Sequence, residues 1–297
     1  MTLIDAVRHA SARLDEAGVC FGHGTTNAWD EAVWLVLWRL GLPLDDLDGA
    51  AQRELTAVEE ARIEALVSQR IATRKPAAYL TGEAWLQGVP FTVDERVIVP
   101  RSLIAELMAD GSLDTWLSAD ARRVLDLCTG NGSLAVLAAM AWPDVTVDAA
   151  DLSADALAVA RLNVERHGLG TRVRLLQGDG LAAVGGARYD LILCNPPYVN
   201  AASMAALPPE FRAEPTLALA GGADGMDFVR ALLRDLRTHL NDGGVLVLEI
   251  GHEREHFERA FPHLQPVWLP TTAGDDQVLL LTHEALAGSA VVRGPRS

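Results

Sequence analysis

Asn195-Pro196-Pro197-Tyr198 closes the apolar run of residues 190–194, "DLILC". Those residue types, in that order, describe a holder for a flat NH₂ group. An amide or aromatic amine delocalises its lone pair into a π system, so its nitrogen is a poor nucleophile, and its weak acidity makes prior removal of a proton unattractive. Two acceptors solve the problem. The side-chain oxygen of Asn195 and the carbonyl of Pro196 can each take one N–H, which turns the nitrogen toward an electrophilic carbon and supports the positive charge that develops on attack. Tyr198 offers a ring to pack on the held group. The two prolines lack an N–H, stop sheet pairing and hold the chain extended, and Asn195 is pushed out of helical φ/ψ by the ring that follows it. Asn195, Pro196 and Tyr198 are therefore the candidate catalytic residues, with Pro197 completing the substrate-holding set. No base is needed before attack, because the nitrogen becomes acidic only afterwards.

A second constellation lies upstream. "VLDLCTGNGSLAV", residues 124–136, is a strand, a glycine-rich turn and the start of a helix, the arrangement in which backbone N–H groups face a ligand. Gly130 and Gly132 permit a tight turn and close approach of that ligand. Asp151 ends the next strand, nineteen residues beyond Gly132, where a carboxylate accepts both hydroxyls of a ribose. By itself this loop suits the adenosine of a nicotinamide cofactor or of S-adenosylmethionine. Two further features favour the sulfonium cofactor: Asp179, ending "LLQGD", is placed to accept from an adenine amino group, and the amine holder sits at the edge where ligands of open α/β sheets collect.

The elements that must position these residues read off the hydrophobic pattern. Residues 1–80 show three-and-four apolar spacing in "TLIDAVRHASARLDEAG", "NAWDEAVWLVLWRLGL" and "AVEEARIEALVSQRIATR", which predicts a small helical domain. Asn27 or Thr26 is the expected cap of the second helix and Gly41 its stop. Trp29, Trp34 and Trp38 are expected to pack inside this domain. Residues 81–101 read as a β-hairpin connector, broken at Gln87-Gly88. Residues 102–297 then alternate strands and helices, which predicts a Rossmann-like α/β domain with a mostly parallel sheet, ending in a loose tail, "AGSAVVRGPRS".

Composition narrows the class. With 49% hydrophobic residues in 297, the chain can bury a sizeable core. No apolar run is long enough to span a membrane and the N-terminus is not a signal peptide, so a cytoplasmic address is the expectation. Three cysteines, Cys20, Cys128 and Cys194, form no CxxC pair, so no metal site is expected and all three read as small buried hydrophobes. The net charge of −15 disfavours direct nucleic-acid binding and favours a basic partner.

Together with "PAAYLTGEAWLQGVPFTVDERVIVPRS", "DLCTGNG", "NPPY", "EFRAEP", "ADGMDF" and "LEIG", these features resemble the HemK-like glutamine N5-methyltransferases over nearly the whole chain. Asn-Pro-Pro-Tyr also occurs in adenine-amino methyltransferases, so the motif specifies a planar amine, and the connector and front domain specify glutamine. "FGHGTTNAWDEAVWLVL" and "VPRSLIAEL" resemble the branch that modifies ribosomal protein L-three of the large subunit rather than the release-factor branch. The resemblance implies a class I S-adenosylmethionine-dependent fold and a basic ribosomal protein as partner. It implies that Asp126 lies near the cofactor's amino-acid end, that Cys128, Thr129, Gly130, Asn131 and Gly132 line its methionine part, and that Asp151 holds its ribose. Asn195, where the two ligands meet, is expected to touch both. Arg101 is expected to contact cofactor or substrate. Gly180 stands where release-factor enzymes commonly have a tryptophan, so whatever packs on the adenine comes from elsewhere.

Overall fold

The computed structural model describes residues 1–287, and all but Ala287 of the stretch expected to be a loose tail lies outside them. The chain divides into two compact units. The first comprises Met1–Trp85, Pro90–Arg101 and Leu207–Pro215; the second comprises Leu86–Val89, Ser102–Ala206 and the remainder from Thr216.

In the first unit, α1 (Leu3–Glu16), α2 (Ala28–Leu40), α3 (Leu47–Ala50), α4 (Ala57–Thr73) and α5 (Ala77–Thr81) precede a hairpin of β1 (Glu83–Leu86) and β2 (Val89–Thr92), whose turn, Leu86–Val89, counts with the second unit. The helix starts are chemically determined. Thr2 with Asp5 and Thr56 with Glu59 form reciprocal capping boxes, and Asn27 caps α2 through the Asp30 N–H. Gly41 ends α2 at φ 65°, the left-handed conformation that glycine adopts without steric cost. Leu3, Ala6, Val7, Ala10 and Leu14 form one face of α1 and pack on Ala32, Val36, Ile63 and Val67. Trp34 and Trp38 pack against Leu35, Leu66 and Ala77, whereas Trp29 is 39% exposed. Five residues separate Trp29 from Trp34, about 140° around the helix, which turns Trp29 to solvent against expectation. In the hairpin, Gln87 and Gly88 both take positive φ, the turn that matches strand twist.

This unit also buries charge. Arg70 is fully buried; its Nε donates to Glu31 at 2.8 Å and its Nη2 to the Cys20 carbonyl at 3.1 Å, with Glu210 Oε1 3.6 Å from Nη1. Glu210 Oε1 also meets Arg74 at 3.3 Å. Arg101 forks onto Glu214 at 2.6 and 2.7 Å, and His23 lies 3.6 Å from the same carboxylate. Burial alone would raise the Glu214 carboxyl, but His23 and Arg101 outweigh it and bring it down to about 2. Leu207–Pro215, expected to belong with the catalytic domain, thus supplies two of the first unit's buried carboxylates.

The second unit contains α6 (Ile104–Ala109), β3 (Arg123–Leu127), α7 (Ser133–Ala141), β4 (Thr146–Asp151), α8 (Ala154–Arg166), β5 (Val173–Gln177), β6 (Tyr189–Cys194), α9 (Ala201–Ala206), α10 (Asp227–His239), β7 (Leu240–Glu249), α11 (Arg254–Ala260), β8 (Val267–Thr271), β9 (Gly274–Thr282) and α12 (His283–Ala287). One seven-stranded sheet runs β5-β4-β3-β6-β7-β9-β8. The first five strands are parallel and β9 is antiparallel to both β7 and β8. The edge strand β8 escapes the sequence pattern because Pro266 and Pro270 break it, and an edge is where a sheet tolerates proline.

Register decides where the chemistry sits. Leu127 is level with Ala150 on one side and with Cys194 on the other, Asp151 with Gln177, and Cys194 with Leu248. Cys128, Asp151, Asn195 and Glu249 therefore line one carboxyl-terminal edge, at the switch between β3 and β6 where crossovers diverge.

Removing one partner of a buried ion pair strands the other, which costs about 3 to 5 kcal/mol. Glu31→Ala should lower the unfolding free energy by roughly that amount, read as a shifted urea midpoint at constant slope, with Arg70 left to the Cys20 carbonyl and the more distant Glu210.

Candidate functional site

The loop after β3 is held by its own backbone. Cys128, Gly130 and Gly132 take φ of 62°, 56° and 81°, left-handed values that cost a residue with a Cβ about 1 kcal/mol or more. The two glycines do different work. A Cβ on Gly132 would stand 3.1 Å from the Cβ of Ala160, so this glycine lets α8 pack close; a Cβ on Gly130 would meet nothing within 4 Å. Of these two, Gly130 is the one that leaves open space of the kind a ligand could use.

Asp126 is buried beneath this loop. Its Oδ2 accepts from the Thr129 hydroxyl at 2.5 Å and the Ala135 N–H at 2.9 Å, while Oδ1 is buried without a partner. Burial is the main cause that pushes its carboxyl up to about 7, against the pull of those two donors. Asn131 is likewise buried, with Nδ2 unpartnered and its carbonyl accepting from Asn163 at 2.8 Å. A lost hydrogen bond in such surroundings costs about 1 to 3 kcal/mol, so both atoms are positions where a polar ligand would restore free energy.

Asp151 accepts from the Gly130 N–H and the Ser153 N–H, each at 2.9 Å, and burial raises its carboxyl. It is not the cap of α8: Ser153 is, through the Ala156 N–H at 3.1 Å. That releases the Asp151 carboxylate to face the ligand edge. Asp179 is exposed and caps nothing. Beside it Gly180 sits at φ 52°, with Phe228 Cε2 at 4.0 Å from the place a Cβ would occupy, and Leu152 stands 50% exposed next to Asp151.

The cysteines differ from expectation. Cys194 is buried, but Cys20 and Cys128 are partly exposed. The Cys194 thiol alongside Cys128, together with burial, holds the Cys128 thiol well above its usual range. Among the described residues no cluster of His, Cys, Asp and Glu could hold a metal, and no helix is long and apolar enough to cross a membrane.

Asn195 follows the last paired residue of β6 and is half-buried, with Pro196 buried behind it. The chain then pairs again: Val199 N–H donates to Leu219 at 2.8 Å and its carbonyl accepts from Gly221 at 2.9 Å. Three glycines frame Tyr198. A Cβ on Gly221 would lie 2.7 Å from the Tyr198 Cα, one on Gly225 2.3 Å from its carbonyl oxygen, and one on Gly251 2.6 Å from its ring. Gly225 and Gly251 belong to the "ADGMDF" and "LEIG" stretches, noted in the sequence without a role, and Gly221 lies outside both. The Tyr198 hydroxyl donates to Glu249 at 3.3 Å. Arg101, by contrast, is committed to Glu214 in the first unit.

Known proteins resemble this chain along nearly its whole length. A family model for the PrmC N-terminal domain matches residues 5–82 and one for the methyltransferase small domain matches residues 108–211. The ribosomal protein uL3 glutamine methyltransferase of Bordetella pertussis is 57% identical over 96% of both chains, and that of Burkholderia pseudomallei 53% over 94% of both. Among solved structures, the hMettl16 catalytic domain bound to a MAT2A 3′UTR hairpin covers 76% of this chain and 81% of its own, at 13% identity and a TM-score of 0.51. At that identity it shows the fold alone.

The two kinds of glycine can be told apart. Gly130→Ala should cost about 1 kcal/mol of backbone strain, which lowers the melting temperature by about 2 to 4 °C, whereas Gly225→Ala, whose methyl would overlap the Tyr198 carbonyl, should cost more than about 2 kcal/mol. Calorimetric melting of the two variants checks the order.

Proposed function

The chain belongs to the family of ribosomal protein uL3 glutamine methyltransferases, and from that membership and the clamp at the end of β6 we propose that it transfers a methyl group from S-adenosylmethionine to the side-chain amide nitrogen of a glutamine in uL3. The observation that carries the reading is the level ending of β3, β4 and β6, which sets Asn195 on the same edge as the Asp126 and Asp151 carboxylates.

The residues fit that cofactor. Asp126 Oδ1, buried and unpartnered, is the acceptor for its ammonium group. Asp151 takes the ribose hydroxyls, Gly130 leaves room above the loop, and Thr129, Asn131 and Cys128 shape its floor. Leu152 and Phe228 are the apolar side chains beside Asp151 and Gly180 and flank the adenine, with Asp179 accepting from its amino group. Held by these residues, the cofactor would supply an electrophilic methyl carbon, with sulfur as the leaving group that keeps the electron pair of the carbon–sulfur bond.

This chain's part is orientation. Asn195 Oδ1 and the Pro196 carbonyl accept the two amide N–H groups, Pro197 keeps the strand end stiff, and Tyr198 packs on the amide plane. Both acceptors are negative dipoles fixed before the reaction, so they stabilise the positive charge on nitrogen without reorganising. The surplus proton passes to water after transfer. The −15 charge steers a basic ribosomal protein toward the enzyme.

Incubation with labelled S-adenosylmethionine and, separately, uL3, a release factor and ribosomal RNA tests the substrate. Label is expected on uL3; label on RNA alone overturns the reading, and label on the release factor alone moves it to the sister branch. Asn195→Ala should cut kcat by about 10²-fold or more while leaving the calorimetric Kd for S-adenosylhomocysteine within about 3-fold.

Asp126 gives the binding a pH dependence of defined sign. Its carboxyl keeps its proton up to about 7 in the protein alone, and an ammonium group at Oδ1 favours the carboxylate, so binding expels a proton. Affinity should therefore rise about 10-fold between pH 6 and pH 8 and level off above that window. Titration calorimetry with S-adenosylhomocysteine in two buffers of different ionisation enthalpy reads both the trend and the proton, and Asp126→Asn should abolish both.

A further inference from the structure

Glu249 is the last residue of β7, one beyond the Cys194–Leu248 pair, and so stands beside Asn195 at the working edge. It is 3% exposed. Its Oε2 accepts from the Ser102 hydroxyl at 2.6 Å and the Leu103 N–H at 2.9 Å, and its Oε1 accepts from the Tyr198 hydroxyl at 3.3 Å. All four residues belong to the second unit. Three neutral donors converge on one carboxylate, and among the described residues no Lys, Arg or His forms an ion pair with it. Burial raises its carboxyl despite those donors. A buried acid without a counter-cation is a net cost to the fold, so its presence at this edge calls for a reason other than stability.

We infer that Glu249 is a positioning residue for the amide clamp: it fixes the Tyr198 ring by its hydroxyl and ties that ring to the start of α6. The inference rests on the methyl-transfer reading above, to which it adds a residue that never touches the substrate. The backbone around the clamp does not need Glu249. Val199 is paired to Leu219 and Gly221, and Asn200 Nδ2 donates separately to Glu253 at 2.7 Å. What Glu249 holds is the hydroxyl end of the ring. The ring lies close against Gly251, and the hydroxyl tether acts at its far end, where it sets the tilt that the ring presents to a flat amide. Small errors in such a tilt are expensive, because an orientation error on the scale of 1 Å can cost orders of magnitude in rate.

A double-mutant cycle on Tyr198→Phe and Glu249→Leu tests the tether. Each single change should lower kcat on uL3 by roughly 10-fold, with the S-adenosylhomocysteine Kd within about 2-fold of wild type, and the double variant should be no slower than the slower single one. Glu249→Gln can give its amide N–H to the phenol oxygen and should recover most of the kcat lost in Glu249→Leu. Multiplying losses in the double variant, or a Tyr198→Phe enzyme with kcat within about 2-fold of wild type, would overturn the inference; the second outcome decides it even where Glu249→Leu does not fold. Failure of the wild type to methylate uL3 would instead count against the functional reading, and the urea midpoints of the four chains would still judge the tether: non-additive shifts support it and additive shifts overturn it.

Discussion

A proline has no amide hydrogen to give, and at 196 and 197 that absence ends the pairing of β6 with both its neighbours at once. In a parallel sheet a central strand normally carries its ladder to the end and hands over to a helix. Here the ladder stops at Cys194, and the next residue is left with a side-chain amide and a stiff backbone on a solvent-facing edge. Much of the second unit can be understood as accommodating that interruption. The crossovers put the glycine loop and Asp151 level with it, Gly221, Gly225 and Gly251 make room for the chain that follows, and β7 delivers a carboxylate to hold the tyrosine.

What the sequence revealed and what it concealed separate along a physical line. The glycine loop, the acid at Asp151 and the Asn-Pro-Pro-Tyr turn are local devices: each works through backbone preferences of a few adjacent residues, so each is visible in a short window. The alternation of strands and helices is equally local, and helix starts at Thr2, Asn27 and Thr56 follow from side chains three residues from the groups they satisfy. The partners of Arg70 and Arg101 are not local. Glu210 and Glu214 lie more than a hundred residues away in sequence from both, and no periodicity announces them. Gly225 and Gly251 were legible as part of a pattern but not as a cause, and Gly221 not at all, since their reason is the backbone or ring of Tyr198 occupying the space a methyl group would fill. β8 was hidden by its prolines, which read as loop unless the strand is known to lie at an edge.

The buried carboxylates illustrate how one residue type serves opposite ends. Glu214 is pulled down by His23 and Arg101 and behaves as a fixed anion that holds its neighbours. Asp126 and Glu249 are pushed up by burial that their donors do not fully offset. The first kind contributes to the fold above its depressed titration range; the second kind burdens the fold and sits where ligands and the clamp are organised. Free energy lost at the working edge is offset by a well-packed apolar sheet behind it, where Leu191, Ile192, Leu246 and Leu248 are fully buried.

The nine residues from Leu207 to Pro215 bear on how this protein could be taken apart or recombined. The front domain looks like a cassette ending at the connector, yet two of its interior anions are encoded after most of the catalytic domain. A fragment cut at residue 101 would keep Arg101 and Arg74 but lose Glu214 and Glu210, leaving cations prepared for partners that are no longer on the chain. The unit of inheritance for grafting or domain exchange is accordingly a discontinuous one, in which the helical head and the 207–215 excursion travel together.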